Sequence, residues 1–180
     1  MGNAITAVNP LWEQIASIDK HKINFTDVIL NLIYDVTPSV SYTLNTFLRN
    51  RKPTRGIYRS SLHSAGDEGL DGIGVLANTL FKQVLIENIV NYNPIINDDH
   101  SLDITGVQAF DEQANEYTQI DKSGFTNNAL GYNGDATTLL ANVRNVSERR
   151  LLSFLGRVRY GYLNRYLFEA TARADGASVF

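Results

Sequence analysis

The sequence predicts an all-β fold, an antiparallel meander of about six long strands that forms a segment of a transmembrane β-barrel. Three observations favour this fold. Apolar and polar side chains alternate along several extended stretches, these stretches are long, and the connections between them are short and long in turn. The alternation has the two-residue period of a β-strand, in which successive side chains point to opposite faces.

The clearest alternation lies in residues 151–180. The apolar row of its first strand is Leu152, Phe154, Gly156, Val158, Tyr160 and Tyr162, and the mainly polar row is Ser153, Leu155, Arg157, Arg159 and Gly161. The same rhythm resumes at Tyr166, so a hairpin folded about Asn164 joins like with like, as an antiparallel register requires. The predicted opposed pairs are Tyr162 with Tyr166, Tyr160 with Phe168, Arg159 with Glu169 and Arg157 with Thr171.

The length of this strand favours a membrane. Strands of soluble proteins have about 5 to 6 residues, whereas a tilted strand needs about 9 to 11 to cross a bilayer. The range 151–162 is long enough. Its apolar face suits lipid, its polar face suits a wet lumen, and its aromatic residues suit the membrane boundary. A half-buried hairpin of a soluble β-sandwich is the alternative interpretation.

We predict one domain over residues 1–180, a partial barrel. The predicted strands are 22–34, 39–50, 78–92, 100–110, 151–162 and 166–175, and the predicted long outer loops are 51–76 and 111–146. Glycine and other turn-forming residues are frequent in both loops. Short turns on one side and long loops on the other are typical of outer-membrane barrels. Six strands do not close a plugged barrel of about 22 strands, so the isolated sheet has exposed edges.

Composition excludes several classes of protein. The chain has 180 residues, a net charge of −3 and no cysteine, so neither a polyanion-binding protein nor a disulfide or thiolate site is indicated. It has no apolar run of the length that a transmembrane helix needs, about 18 residues. The stretch Met1–Lys20 lacks the features of a secretory signal. We therefore expect the chain to be a fragment of a longer outer-membrane protein.

Charged residues of the last two strands are the candidates for a lumen-facing network. They are Arg157, Arg159, Glu169, Arg173 and Asp175. Aromatic residues of the long connections are the candidates for ligand contact, because exposed rings can stack on sugars; these are Tyr58, Tyr117 and Tyr132. Such rings also pack long loops together, which is the alternative role.

No catalytic residue, cofactor or metal site is predicted. The three histidines, His21, His63 and His100, lack the spacing of metal ligands. The glycine-rich stretch that contains Asp67, Glu68 and Asp71 could hold calcium or form an acid and base pair, but its spacing misses the EF-hand pattern. Arginines of the hairpin lie opposite its aromatic row, which argues against a nucleic-acid surface.

Several of these residues resemble one family. The stretches LSFLGRVRY (152–160), NRYL (164–167) and RADGASVF (173–180) are similar to the C-terminal hairpin motif of SusC/RagA-type TonB-linked outer-membrane proteins, with Ala177 where that family more often has Ser. A second patch, from Asn78 to Gly106, is similar to the family's preceding hairpin.

The resemblance implies that residues 1–180 are a partial barrel of a TonB-dependent receptor whose plug domain is absent, and it also implies a location and partners. It implies the outer membrane of a Gram-negative bacterium, contact with its lipid, a SusD-like surface lipoprotein as lid, and the TonB complex as energy source. It implies import of oligosaccharides or peptides, with no bond made or broken and no nucleic acid bound. A soluble all-β carbohydrate-binding module is the alternative function, and an enzyme with carboxylates in residues 66–74 is a third.

Overall fold

The computed structural model describes residues 10–67 and 69–179, and most of these residues lie in β-strands. The strands are β1 (Ser17–Thr37), β2 (Val40–Arg59), β3 (Ile73–Tyr92), β4 (His100–Phe125), β5 (Ala136–Tyr162) and β6 (Tyr166–Val179). The short helices are α1 (Pro10–Ile15) and α2 (Ser64–Asp67), and a 3-10 turn spans Gly131–Asn133. The strands form one six-stranded sheet in the order β1-β2-β3-β4-β5-β6. The predicted all-β antiparallel meander is confirmed.

The strands are longer, and the long connections shorter, than the sequence predicts. Residues 51–59 and 73–76 belong to β2 and β3 rather than to a loop, and 111–125 and 136–146 belong to β4 and β5. The remaining connections are 60–72 and 126–135. Strand pairing uses backbone groups, so it continues where both faces carry polar side chains. The apolar and polar contrast that reveals a strand in the sequence is weak there.

The described residues divide into two compact units. The first unit comprises the segments ending at Asn24, Arg51–Leu80 and Glu116–Val146, and it contains both long connections. The second unit comprises Phe25–Asn50, Phe81–Asn115 and the segment from Ser147, and it contains the short turns and the β5–β6 hairpin. Each unit therefore has its own set of side-chain contacts.

The register of the β5–β6 hairpin agrees with the prediction. Tyr162 pairs with Tyr166, Arg159 with Glu169, and the remaining predicted pairs are also present. At the turn, the backbone N–H of Arg165 donates to the Tyr162 carbonyl at 3.0 Å. Leu163 and Asn164 have φ angles of 52° and 53°. Positive φ at both central residues defines a type I′ turn, whose twist matches that of the flanking strands.

The apolar row of this hairpin faces outward. Phe154 and Phe168 are 54% and 66% exposed, whereas Ser153, on the opposite face, is 6% exposed. Ala16, Tyr58 and Phe125 are the buried hydrophobic residues of the described chain. A soluble sandwich would cover the apolar row with a second sheet, and the described strands form a single sheet. The sandwich interpretation therefore has no second layer within the described residues.

The helices of the described residues are short. Across residues 10–67 and 69–179, no helix has the length and apolar character that spanning a membrane would require.

The isolated 180-residue chain is expected to aggregate in detergent-free buffer. β1 and β6 are the edge strands of the described sheet, and exposed edges and apolar side chains both promote association between copies. Size-exclusion chromatography with light scattering measures this, and the same chain in detergent micelles is the control. A monodisperse monomer that unfolds cooperatively without detergent would contradict the expectation.

Candidate functional site: the polar face of the sheet

The face of the sheet that carries Arg157 and Arg159, here called the polar face, holds a cross-strand hydrogen-bond network in the second unit. Arg159 contacts Glu169 across the hairpin at 3.3 Å. Arg157 donates to the Thr105 hydroxyl of β4 at 3.5 Å, and that hydroxyl donates to Asn91 of β3 at 3.0 Å. These contacts link β3, β4, β5 and β6 on one face.

The five predicted network residues all lie on this hairpin. Arg173 contacts Asp175 two residues along β6 at 2.9 Å, and its Nη2 atom donates to the Ser153 hydroxyl at 3.4 Å. With Arg157, Arg159 and Glu169 they share the polar face, because alternate residues of a strand share a face. Whether this face lines a lumen stays a prediction.

Further contacts on the polar face involve residues that sequence reasoning did not name. They are the contacts Asp27–Arg49, Asn31–Asn45, Asn45–Glu87, Gln83–Asp111 and Asp111–Arg149. The signal that could have found them is a polar residue at every second position, which β4 shows from Asp111 onward. That signal is weak because the intervening row of β4 is also polar. The predicted network is thus part of a larger polar surface.

One buried polar atom of this surface has no hydrogen-bond partner among the described residues. It is the Nε atom of Arg157. A buried donor without a partner costs about 1 to 3 kcal/mol. Arg157 is therefore the member of the network with capacity for one more acceptor.

In the first unit the polar face contains a hollow of about 260 Å³. Residues from four neighbouring strands line it: His21, Pro53, Arg55, Ile57, Val75, Ala77, Thr79, Tyr117 and Gln119. Tyr117, predicted to lie in a long loop, is in β4 and lines this hollow. It is the predicted ligand candidate that the structure places at a cavity.

The two long connections pack around Tyr58, which is 1% exposed. Its ring meets Phe125 edge to face with 5.0 Å between centroids, and its hydroxyl donates to the Asn128 side chain at 2.6 Å. A ring buried in this way cannot stack on a ligand, so Tyr58 is not retained as a ligand candidate. It has the alternative role, which is packing the loops together.

Tyr132 lies in the second long connection, as predicted, and its ring covers Gly56 of β2. A Cβ atom at Gly56 would lie 2.3 Å from this ring. Only glycine allows such close approach of a ring to the strand. Tyr132 therefore packs against the sheet and is half-buried.

Helix α1 is joined to the first long connection by Glu13. The Ser64 backbone N–H donates to Glu13 at 3.0 Å, and His63 Nε2 lies 2.5 Å from the same carboxylate. The hydrogen bond from the Ser64 backbone, which outweighs the opposing effect of desolvation, holds the pKa of Glu13 below its usual 4.5. A lowered carboxyl pKa means that the folded form favours the ionised group.

The acidic stretch of the first connection gives no metal site that can be described. Glu68 lies outside the described residues, as does the side chain of Asp67. Asp71 has a φ angle of 47°. Over the described residues, no group of three or more His, Asp or Glu side chains is arranged to hold a metal ion.

No family model matches the chain. Three similar proteins are all named TonB-dependent receptors. TonB-dependent receptor P26 of Formosa agariphila is 32% identical over 102 residues, which are 52% of this chain and 10% of that protein. Receptor P3 of the same organism is 25% identical over 175 residues, and receptor P39 is 28% identical over 184 residues. P3 and P39 each cover 96% of this chain.

The fold also matches solved structures. The RagAB peptide transporter superposes with a TM-score of 0.81 and 15% identity, over 91% of this chain and 18% of that chain. The RagAB peptide importer in its open-open state gives the same TM-score at 16% identity, over the same shares of the two chains. The chain is similar in sequence to a segment of TonB-dependent receptors, and its fold matches a segment of a RagA-like barrel. The chain spans 17% of the length of receptors P3 and P39.

Truncation of Tyr58 should loosen both long connections. Tyr58→Phe removes the bond to Asn128, worth about 0.5 to 1.5 kcal/mol, and Tyr58→Ala also leaves a cavity, which costs about 3 to 5 kcal/mol. Hydrogen exchange in residues 126–135 of the full-length protein should accelerate in that order. Tyr34 is 62% exposed, so Tyr34→Ala is the control. Equal effects of the two alanine variants would contradict the packing role.

Acid should release α1 from the first connection. Because the pKa of Glu13 is lowered in the folded state, its contribution is present above its unfolded pKa and is lost as pH falls through the folded pKa. Exchange at residues 60–65, corrected for the intrinsic rate, should therefore rise below about pH 4.5. Glu13→Gln should exchange faster at neutral pH and lose the pH dependence. A wild-type profile that stays flat to pH 3 would exclude this linkage.

Proposed function

We propose that the chain supplies six wall strands and two outward connections to an outer-membrane TonB-dependent importer of oligosaccharides or peptides. The observation that carries this proposal is the separation of side chains in the β5–β6 hairpin. Its exposed row is apolar and aromatic, and the opposite row is polar and hydrogen-bonded. Lipid on one side and a wet lumen on the other explain both rows.

The size of the apolar row supports a bilayer. From Leu152 to Tyr162 there are ten steps of about 3.3 Å, and a tilt of about 40° reduces this length to about 25 Å along the membrane normal. An apolar band of about 25 Å is the height found in outer-membrane barrels. Its exposed side chains include Leu152, Phe154, Val158 and Tyr162.

Aromatic residues lie at the turn end of the hairpin, where the proposed apolar band would meet water. The rings of Tyr162 and Tyr166 stack with 6.4 Å between centroids, and His100 lies 4.9 Å from the Tyr162 ring. His100 Nδ1 is also 2.6 Å from the Tyr160 hydroxyl. Amphipathic rings of this kind prefer the interface between hydrocarbon and water.

Tyr42, Asn88 and Gln108 form a polar ladder on the apolar face, and their side chains hydrogen-bond to one another. The Tyr42 hydroxyl donates to the side-chain oxygen Oδ1 of Asn88 at 2.6 Å, and the side-chain Nδ2 of Asn88 donates to Oε1 of Gln108 at 2.6 Å. A polar group without a partner would cost several kcal/mol in hydrocarbon. The ladder across β2, β3 and β4 reduces that cost, which is compatible with a lipid-facing surface.

The partners follow from the proposed assembly. The structural neighbours are the RagAB peptide transporter and the RagAB peptide importer. We propose by analogy that the full-length protein binds a SusD-like surface lipoprotein and takes energy from the TonB complex, in the outer membrane of a Gram-negative bacterium. In this scheme solute crosses without a change in its covalent bonds.

Neighbouring single cysteines test the two faces. The chain has no cysteine, so within it Ala170→Cys and Thr171→Cys each give one position for an environment-sensitive dye. In the full-length protein, cysteines outside this chain are replaced by serine before labelling. In proteoliposomes, doxyl lipids should quench the dye at 170 at least several-fold more than the dye at 171, because alternate residues face lipid. Equal quenching at the two positions would overturn the lipid-facing assignment.

The import step has its own readout. Uptake of fluorescent oligosaccharides or peptides by cells with the full-length protein should disappear when TonB is deleted. Uptake that persists without TonB would exclude an energised importer while leaving the assignment of the two faces intact.

A further inference from the structure

We propose that the hollow on the polar face of the first unit binds one ring of a neutral oligosaccharide, with Tyr117 as its stacking platform. This inference rests on the proposed function, because that function turns the polar face toward the solute. The hollow measures about 260 Å³, close to the lower limit of about 300 Å³ for small-molecule sites. It is therefore sized for one sugar ring rather than for a long segment of ligand.

The shape of the hollow depends on one small residue. Ala77 lies on β3, the strand between those of Arg55 and Gln119, and all three residues line the cavity. A long side chain at 77 would occupy the space between its neighbours. With Pro53, Ile57 and Val75, Ala77 gives the hollow an apolar floor.

The aromatic wall is held in place by a chain of hydrogen bonds. The Tyr117 hydroxyl donates to the Gln119 side-chain carbonyl. The Gln119 amide in turn donates to both oxygens of Asp121, at 2.8 and 3.1 Å. A ring fixed in advance loses little conformational entropy when a ligand binds. Aromatic rings present an apolar surface that suits the C–H face of a sugar.

The charges of the hollow favour a neutral ligand. The Arg55 guanidinium is bound by both oxygens of Asp19, with Nε at 3.1 Å and Nη2 at 2.7 Å. This bidentate pair neutralises the cation that would otherwise attract a carboxylate or phosphate. The Nη1 atom lies outside the pair and can donate to a neutral oxygen. Hydroxyl groups suit such a site, because each one both donates and accepts.

The position of the hollow disfavours an extended peptide. Peptides usually bind a sheet by adding a strand to an exposed edge, where backbone donors and acceptors are unpaired. The floor lies on β2 and β3, which have a neighbouring strand on both sides. Their backbone groups are used by the sheet, so only side chains remain to bind a ligand.

Calorimetry on the full-length protein in detergent tests the site. The probes are a set of neutral tetrasaccharides (cello-, malto-, xylo-, manno- and laminaritetraose) and the tetrapeptide tetra-alanine. We expect at least one tetrasaccharide to bind, and Ala77→Leu to weaken that binding at least about tenfold by filling the hollow. Ala114→Leu is the matched control, because Ala114 is also half-buried in a strand but lies on the opposite face of β4. It should change affinity less than about twofold.

A second pair of variants tests the platform. Tyr117→Phe keeps the ring but removes the hydrogen bond that holds it, so it should weaken binding less than Tyr117→Leu, which removes the ring and should lose about tenfold. Folding of each variant is checked by the heat-modifiable shift in gel mobility. Binding unchanged by Ala77→Leu, no tetrasaccharide bound, or tetra-alanine bound instead would each overturn the inference. The lipid-quenching result is independent of these outcomes, so the site can fail while the wall assignment stands.

Discussion

The backbone ladder of a single sheet is the constraint on which the rest of the structure depends. Each interior strand pairs on both sides, and the pairing fixes which side chains share a face. A slip of one residue between β5 and β6 would put Phe168 of β6 on the face that carries Arg157 and Arg159 of β5. The observed register keeps these groups apart. Because the described strands form one layer, each face must be compatible with its own surroundings, and the two faces differ in chemistry.

The sequence was informative where the two faces differ and uninformative where they do not. The hairpin register could be predicted because Tyr162, Arg159 and their partners alternate in character. The C-terminal ends of β2 and β4 could not be predicted. Residues such as Lys52, Thr54, Glu116 and Thr118 place polar side chains in the row opposite the polar face, so both rows are polar there. Backbone pairing is indifferent to that polarity. The length of strand that could be predicted was therefore set by the difference in polarity between its two side-chain rows, rather than by strand propensity.

Candidate residues were predicted unequally for a related reason. Charged residues of the hairpin were found because an apolar row isolates them. Tyr58 and Tyr117 were both treated as loop residues, yet one is buried under the connections and the other lines a hollow. A single sequence does not show whether such a ring is buried or lines a hollow, because this depends on which connection folds over which strand. Ala77 could not have been found, because its importance lies in the space that a small side chain leaves.

The importer proposed above needs a wall that contacts solute without retaining it, and the pairing of charges on the polar face meets that need. Exposed ion pairs such as Arg159–Glu169, whose side chains are 44% and 49% exposed, contribute only about 0 to 1 kcal/mol to stability. These ion pairs therefore contribute little to the free energy of unfolding. An unpaired arginine, however, would attract any carboxylate strongly in a confined space. Pairing it with a neighbouring acid weakens that attraction and leaves hydrogen-bonding groups that neutral solutes can use. The Asp19–Arg55 pair beside the hollow applies the same principle at close range, so a ligand there is selected by shape and hydroxyl groups rather than by charge.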